Sequence, residues 1–126
     1  MALTNTGRDY LNGSIIANPT ALFNVTNAHI GVGDSVVAFA ATQTDLQAAT
    51  NKLRKIVDIA PTNPTANSTE FLSTFGTAEA NFAWEEWAVF NAATGGIMLN
   101  RKVEALGTKT SAQSWEITVT LTLNNP

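Results

Sequence analysis

Residues 113–123 alternate strictly. Trp115, Ile117, Val119, Leu121 and Leu123 fall on one parity, and Glu116, Thr118, Thr120 and Thr122 on the other. A period of two is that of a strand with one face in a core and the other turned outward. The stretch 80–104, ANFAWEEWAVFNAATGGIMLNRKVE, carries the central pattern. In 82–90 one parity holds Phe82, Trp84, Glu86, Ala88 and Phe90, and the other Ala83, Glu85, Trp87 and Val89. Both sets are largely apolar, which predicts a strand covered on both sides. Residues 91–96 turn the chain, with Gly95 and Gly96 supplying positive-φ positions. Residues 97–104 return, with Ile97, Leu99, Arg101 and Val103 predicted on one face. The expected unit is a long hairpin around which the other segments pack.

Those segments are shorter. A helix is predicted over 3–17, capped by Thr4, Asn5 or Thr6. It carries Tyr10, Leu11 and Ile15 on one face, is weakened by Gly13 and is ended by Asn18-Pro19. It either closes one side of the core or reaches a neighbouring subunit. Residues 28–32 (AHIGV) predict a strand, turned by Gly33-Asp34. Residues 42–50 (TQTDLQAAT) predict one or two helical turns, with Thr44 as cap and Gln47 completing a capping box. Residues 52–59 alternate again, Leu53, Val57 and Ile59 against Lys52, Arg54 and Asp58. Residues 60–68 (APTNPTANS) form a loop in which two prolines cannot donate to a ladder. Residues 70–75 predict a strand with Phe71 and Phe75 in register, 76–81 turn back, and 106–112 form another loop. The predicted fold is mainly β: an antiparallel β-sandwich of six to seven strands, with one N-terminal helix and a short helical turn. It forms a single domain over 1–126, in which 1–20 are the helix or arm.

Two charges fall on apolar faces of the hairpin, Glu86 and Arg101. Burying either alone costs several kcal/mol, so they are expected to form a structural ion pair, with Arg54 as a second partner for Glu86. One carboxylate with no second carboxylate, paired histidine or metal cluster is an incomplete active site. His29 is the only histidine, and between apolar neighbours it reads as a hydrogen-bonded structural residue. Gly31 and Gly33 form a G-x-G without the third glycine or lysine of a phosphate loop, so a turn and close backbone packing account for them.

Composition narrows the partners. The 126 residues include 13% charged residues and carry a net charge of −3. The charge is low for a globular chain, and Thr, Asn and Ala fill the gap. That suits a surface covered by other protein. The acidic balance speaks against a nucleic-acid partner, and the one basic run, Lys52, Arg54 and Lys55, reads either as a solvated edge that discourages stray strand pairing or as a contact for a partner's acidic patch. There are no cysteines, hence no thiol chemistry. No apolar run reaches membrane-spanning length, and Arg8 and Asp9 precede any apolar run, unlike a secretion signal. No catalytic residue, cofactor or metal site is expected. Candidate contact surfaces are the loop positions Pro61, Asn63 and Pro64 and the outward row Thr118, Thr120 and Thr122. Trp87 and Trp115 are read as core residues rather than sugar-stacking platforms.

The order IGVGD (30–34), KLRK (52–55), F-x-W-x-E-W-x-x-F-N (82–91) and GGIML with Arg101 resembles small virion proteins of tailed bacteriophages and the N-terminal attachment domains of phage tail fibres. In the fibre domains the strand reads as an aromatic or aliphatic residue, then Glu, an apolar residue, Gly, Leu and Phe. The Glu falls on Glu86 and the aromatic close on Phe90, while Ala88 replaces the glycine. Fibre domains continue into shafts, whereas this sequence ends at Pro126. The resemblance therefore implies a non-enzymatic capsid decoration (cement) protein of the virion, assembled in the bacterial cytoplasm. It would be a homo-oligomer, expected to be a trimer, bound to the major capsid protein. The alternative is a tail-fibre, collar or baseplate adaptor bound to a tail or baseplate protein.

Overall fold

Two antiparallel layers face each other in the computed structural model, which describes residues 2–17 and 21–124. Along the chain run β1 (Ala2–Leu3), α1 (Asn5–Ser14), β2 (His29–Gly33), β3 (Lys52–Ile56), β4 (Ser68–Phe75), β5 (Ala83–Phe90), β6 (Met98–Thr108) and β7 (Trp115–Thr122). The larger sheet has the order β1-β6-β5-β2-β3, and the smaller pairs β4 with β7. The hairpin β5–β6 thus occupies the middle of the larger sheet, in keeping with its two apolar faces. The architecture is the mainly β, sandwich-like one the alternation predicts, with seven strands and a single helix among the described residues.

The layers meet on side chains of matching parity. Ile30 and Val89 lie opposite each other in the β2–β5 ladder and pack with Phe71, Val119 and Leu121 of the smaller sheet. Towards the other end Val32, Phe75 and Trp84 form a second cluster. There Trp84 stands edge-on to both Phe75 and Trp115, at 5.0 Å between ring centroids in each case. Its indole N–H donates to the Ala80 carbonyl at 3.0 Å, so the polar end of a buried ring is satisfied.

Strict alternation fails at two points of the hairpin. The β5–β6 register shifts between Trp84 and Glu86, and again between Val89 and Phe90. Across the first shift Trp84 packs inward on the small sheet, whereas Glu86, predicted on its face, lies on the opposite side. Across the second, Leu99 joins the inner core while Arg101 faces outward beside Glu86. Irregularities of this kind re-aim side chains that an ideal period of two would keep together.

The helix is shorter than 3–17. Thr4 is its cap, accepting from the Gly7 N–H at 2.9 Å. The same hydroxyl bonds the Met98 carbonyl, and Thr4 N–H donates to Leu99 O at 3.1 Å, so the start of α1 is tied to β6. Leu11 packs on the core, but Ile15 caps the C-terminus and is 82% exposed, off the predicted face. The predicted stop at Asn18-Pro19 lies outside the described residues. β3 ends at Ile56. Val57 beyond it is buried, while Ile59, predicted on the same side, is 55% exposed.

Residues 42–50 contain turns and no helix, which corrects the predicted helical turn. The reason is in their hydrogen bonds. Gln47 and Ala48 donate their backbone N–H groups to the Glu86 carboxylate instead of to helical carbonyls. Leu46 and Ala48 are buried and Gln47 between them is exposed, the alternation of an extended segment.

Candidate functional site

The outer face of the larger sheet is covered by residues 34–51, and a buried ion pair joins the two. Arg101 Nε donates to Glu86 Oε1 at 2.8 Å, and both side chains are fully buried. Glu86 Oε1 also accepts from Gln47 N–H and Oε2 from Ala48 N–H, each at 2.8 Å. Arg101 donates on to Gln43 Oε1 at 3.1 Å and to the Val37 carbonyl at 2.9 Å. The pair therefore fastens the covering segment at four places along its length. Gly33 makes room for it, because a Cβ there would overlap Glu86 Oε2. With both oxygens occupied and no exposure to solvent, Glu86 is out of reach of a substrate proton.

Arg54 does not join this pair. It lies on the same face on β3, two strands from Glu86, and its guanidinium stacks 3.5 Å over the Phe90 ring. Its Nη2 reaches Asp45 at 3.1 Å and its Nη1 donates to the Ala92 and Gly95 carbonyls at 2.9 Å. Gly31 permits the stack, since a Cβ would come within 2.8 Å of the Phe90 ring and 3.0 Å of Leu46. The G-x-G is thus a pair of gaps on one face, filled by the neighbours of a strand. Burial pushes the Asp45 carboxyl up, but the bonds from Arg54 and Leu46 N–H and the nearby charges of Lys52 and Arg54 outweigh it and hold it below the usual range.

Lys109, which reads as an ordinary loop residue in the sequence, is buried to 1% exposure. Its Nζ donates to Gly76 O at 2.6 Å and Asn81 Oδ1 at 2.8 Å, closing the turn before β5. Beside that turn Lys55 pairs with Glu79 at 2.8 Å. The Lys55 and Gly76 N–H bonds hold the Glu79 carboxyl below its ordinary value. Asn100 is also fully buried; its Oδ1 accepts from Val89 N–H at 3.0 Å at the second register shift. No periodicity marks either residue, since each serves a backbone irregularity. His29 Nδ1 lies 2.7 Å from the Asn27 carbonyl, a local structural bond.

The chain matches no protein-family model, and no curated protein is similar to it.

The predicted contact residues lie on two parts of the small sheet, the threonines along β7 and the loop at the β4 edge. Thr118, Thr120 and Thr122 are exposed along β7. Asn63 and Pro64 are exposed and Pro61 half-buried in the loop before β4. Asn63 shares a groove of about 330 Å³ with Leu11, Leu121 and Leu123, so the loop and the end of β7 form one surface. Trp87 and Trp115 are half-buried and engaged. Trp87 donates to Glu104 Oε2 at 3.0 Å, which lowers the Glu104 carboxyl from its ordinary value, and Trp115 packs on Trp84.

Proposed function

We propose that this chain is a non-enzymatic structural protein of a bacteriophage particle, bound to the head shell as a decoration protein in the form of a homo-oligomer. The observation that carries this reading is the Glu86–Arg101 pair with its four bonds to residues 34–51. The acidic and basic groups on the resembling motif, Glu86, Arg101 and Arg54, serve to fix a covering segment to a sheet. The surface left outside is a threonine row and an asparagine–proline loop, chemistry suited to contact with other protein. A decoration protein acts by mass action, each copy burying shell surface that must be re-exposed before the shell can expand.

The test is a reconstruction of the intact particle with this chain located in it. Copies repeated at the local symmetry axes of the head, contacting the shell through 60–68 or β7, are the expected result. A few copies at the tail or baseplate would replace this reading with that of an adaptor. Absence from purified particles would end both.

A further inference from the structure

The two edges of the small sheet are treated differently. On the β4 side the backbone groups are met: Asp58 N–H donates to Leu72 O at 2.8 Å, Glu70 N–H to Thr62 O at 2.9 Å, and Thr62 N–H to Glu70 O at 3.2 Å. Thr74 N–H reaches Asp58 Oδ1 at 3.3 Å. On the β7 side no ladder partner is present among the described residues. Leu123 N–H donates to Asn67 O, and bonded and non-bonded pairs alternate along an antiparallel ladder. Trp115, Ile117, Val119 and Leu121 therefore turn their backbone groups towards β4. Glu116, Thr118, Thr120 and Thr122 turn theirs to the open side.

This edge lacks the usual protection. It spans eight residues, holds no lysine or proline, and carries a single charge, Glu116. Beside it Trp84, Leu106, Trp115 and Ile117 line a groove of about 390 Å³. Leu106 is 40% and Leu123 53% exposed.

We propose that two copies of this chain pair antiparallel along β7, about a two-fold axis at Val119, joining their small sheets into one four-stranded layer. The self-complementarity of the strand argues for a second copy as the occupant. In this register Thr118 faces Thr120 of the other copy, Glu116 faces Thr122, Ile117 faces Leu121, and Trp115 faces Leu123. Outward-directed backbone groups meet in the Thr118–Thr120 and Glu116–Thr122 pairs, with Ile117–Leu121 and Trp115–Leu123 as the non-bonded pairs between and beyond them, and polar side chains stay on the outer face and apolar ones on the inner. The two Glu116 carboxylates are kept apart. A one-residue slip would set threonines against the apolar row, which disfavours it. The inference deepens the homo-oligomer part of the proposed function and selects two-fold pairing over the expected trimer.

It is tested on the full chain in solution without particles, so its failure is separate from that of the virion reading. Sedimentation of the wild type is expected to show a dimer. The chain has no cysteine, so Thr118→Cys and Thr120→Cys introduce the only thiols. Oxidising the two variants mixed should give disulfide-linked heterodimers in clear excess over either variant alone. Thr118→Lys/Thr120→Lys places lysine against lysine and should weaken association about tenfold or more, with an unchanged circular dichroism spectrum. A wild-type monomer at all concentrations, a trimer, or cross-linking no better in the mixture than in the single variants would overturn the proposal.

Discussion

Removing the charge of Glu86 while keeping its shape is the sharpest perturbation of this fold. In Glu86→Gln the amide oxygen can accept from only part of the donor set that the two carboxylate oxygens now serve, namely Arg101 Nε and the N–H groups of Gln47 and Ala48. The new NH₂ group points a donor at donors. Arg101 remains fully buried without a counter-charge. Breaking a buried pair in this way costs about 3–5 kcal/mol. Against a total stability of about 5–15 kcal/mol for a domain, that is about a fifth or more of the whole. In a chain of this length it corresponds to a fall in Tm of about 10–20 °C. Arg101→Met should cost a similar amount, and the double variant clearly less than the sum, because the second change removes a charge already left unpaired. Urea unfolding followed by tryptophan fluorescence gives the three values. Hydrogen exchange reports where the loss falls: the Gln47 and Ala48 amides should exchange faster in Glu86→Gln, with β4 and β7 less affected. A cost below about 1 kcal/mol for Glu86→Gln, or strict additivity in the cycle, would refute the view that the pair fastens residues 34–51 to the sheet.

The neighbouring glycine should be as sensitive, since Gly33→Ala drives a methyl group into a carboxylate fixed by three donors. A loss of about 1–3 kcal/mol or more in urea unfolding is expected, and a neutral result would mean the Glu86 side chain can move. Truncating Trp84 to alanine removes the ring shared by Phe75 and Trp115 and should cost about 3–5 kcal/mol in the same assay. Thr4→Ala, which loses the cap and the tie to β6, should cost about 1 kcal/mol and speed exchange in α1 alone. Acid should weaken the fold through Asp45, Glu79 and Glu104, whose carboxyls all lie below their ordinary values. Their contribution is complete above the unfolded carboxylate range near pH 4 and is lost as pH falls towards the folded values. In Glu79→Gln the fall in Tm between pH 6 and pH 3 should accordingly be shallower than in the wild type, and an identical slope would count against the Lys55–Glu79 contribution.

Much of this was legible in the order of residues. The alternation of Trp115 to Leu123 marks β7, and the double apolar parity of 82–90 marks a strand covered on both sides. Thr4 is one of three neighbouring caps the sequence offers, and the coincidence of Glu86 and Arg101 on apolar strands reads as an ion pair. These follow from local periodicity and from the cost of burying one charge alone, both properties of the chain itself. What the order of residues could not place is whatever depends on a bond to a distant segment. Residues 42–50 have helix-forming letters, yet two of their N–H groups are claimed by a carboxylate on β5, and a segment whose donors are taken from outside cannot close its own turns. Arg54 lies within reach of Asp45 and Phe90 rather than Glu86, a choice made by strand order. Trp84 and Glu86 share a parity and still part company, because the register of β5 against β6 shifts between them. Which edge of the small sheet stays open is likewise decided only when the chain beyond β3 folds back onto β4, since backbone groups are alike in every strand until a neighbour meets them.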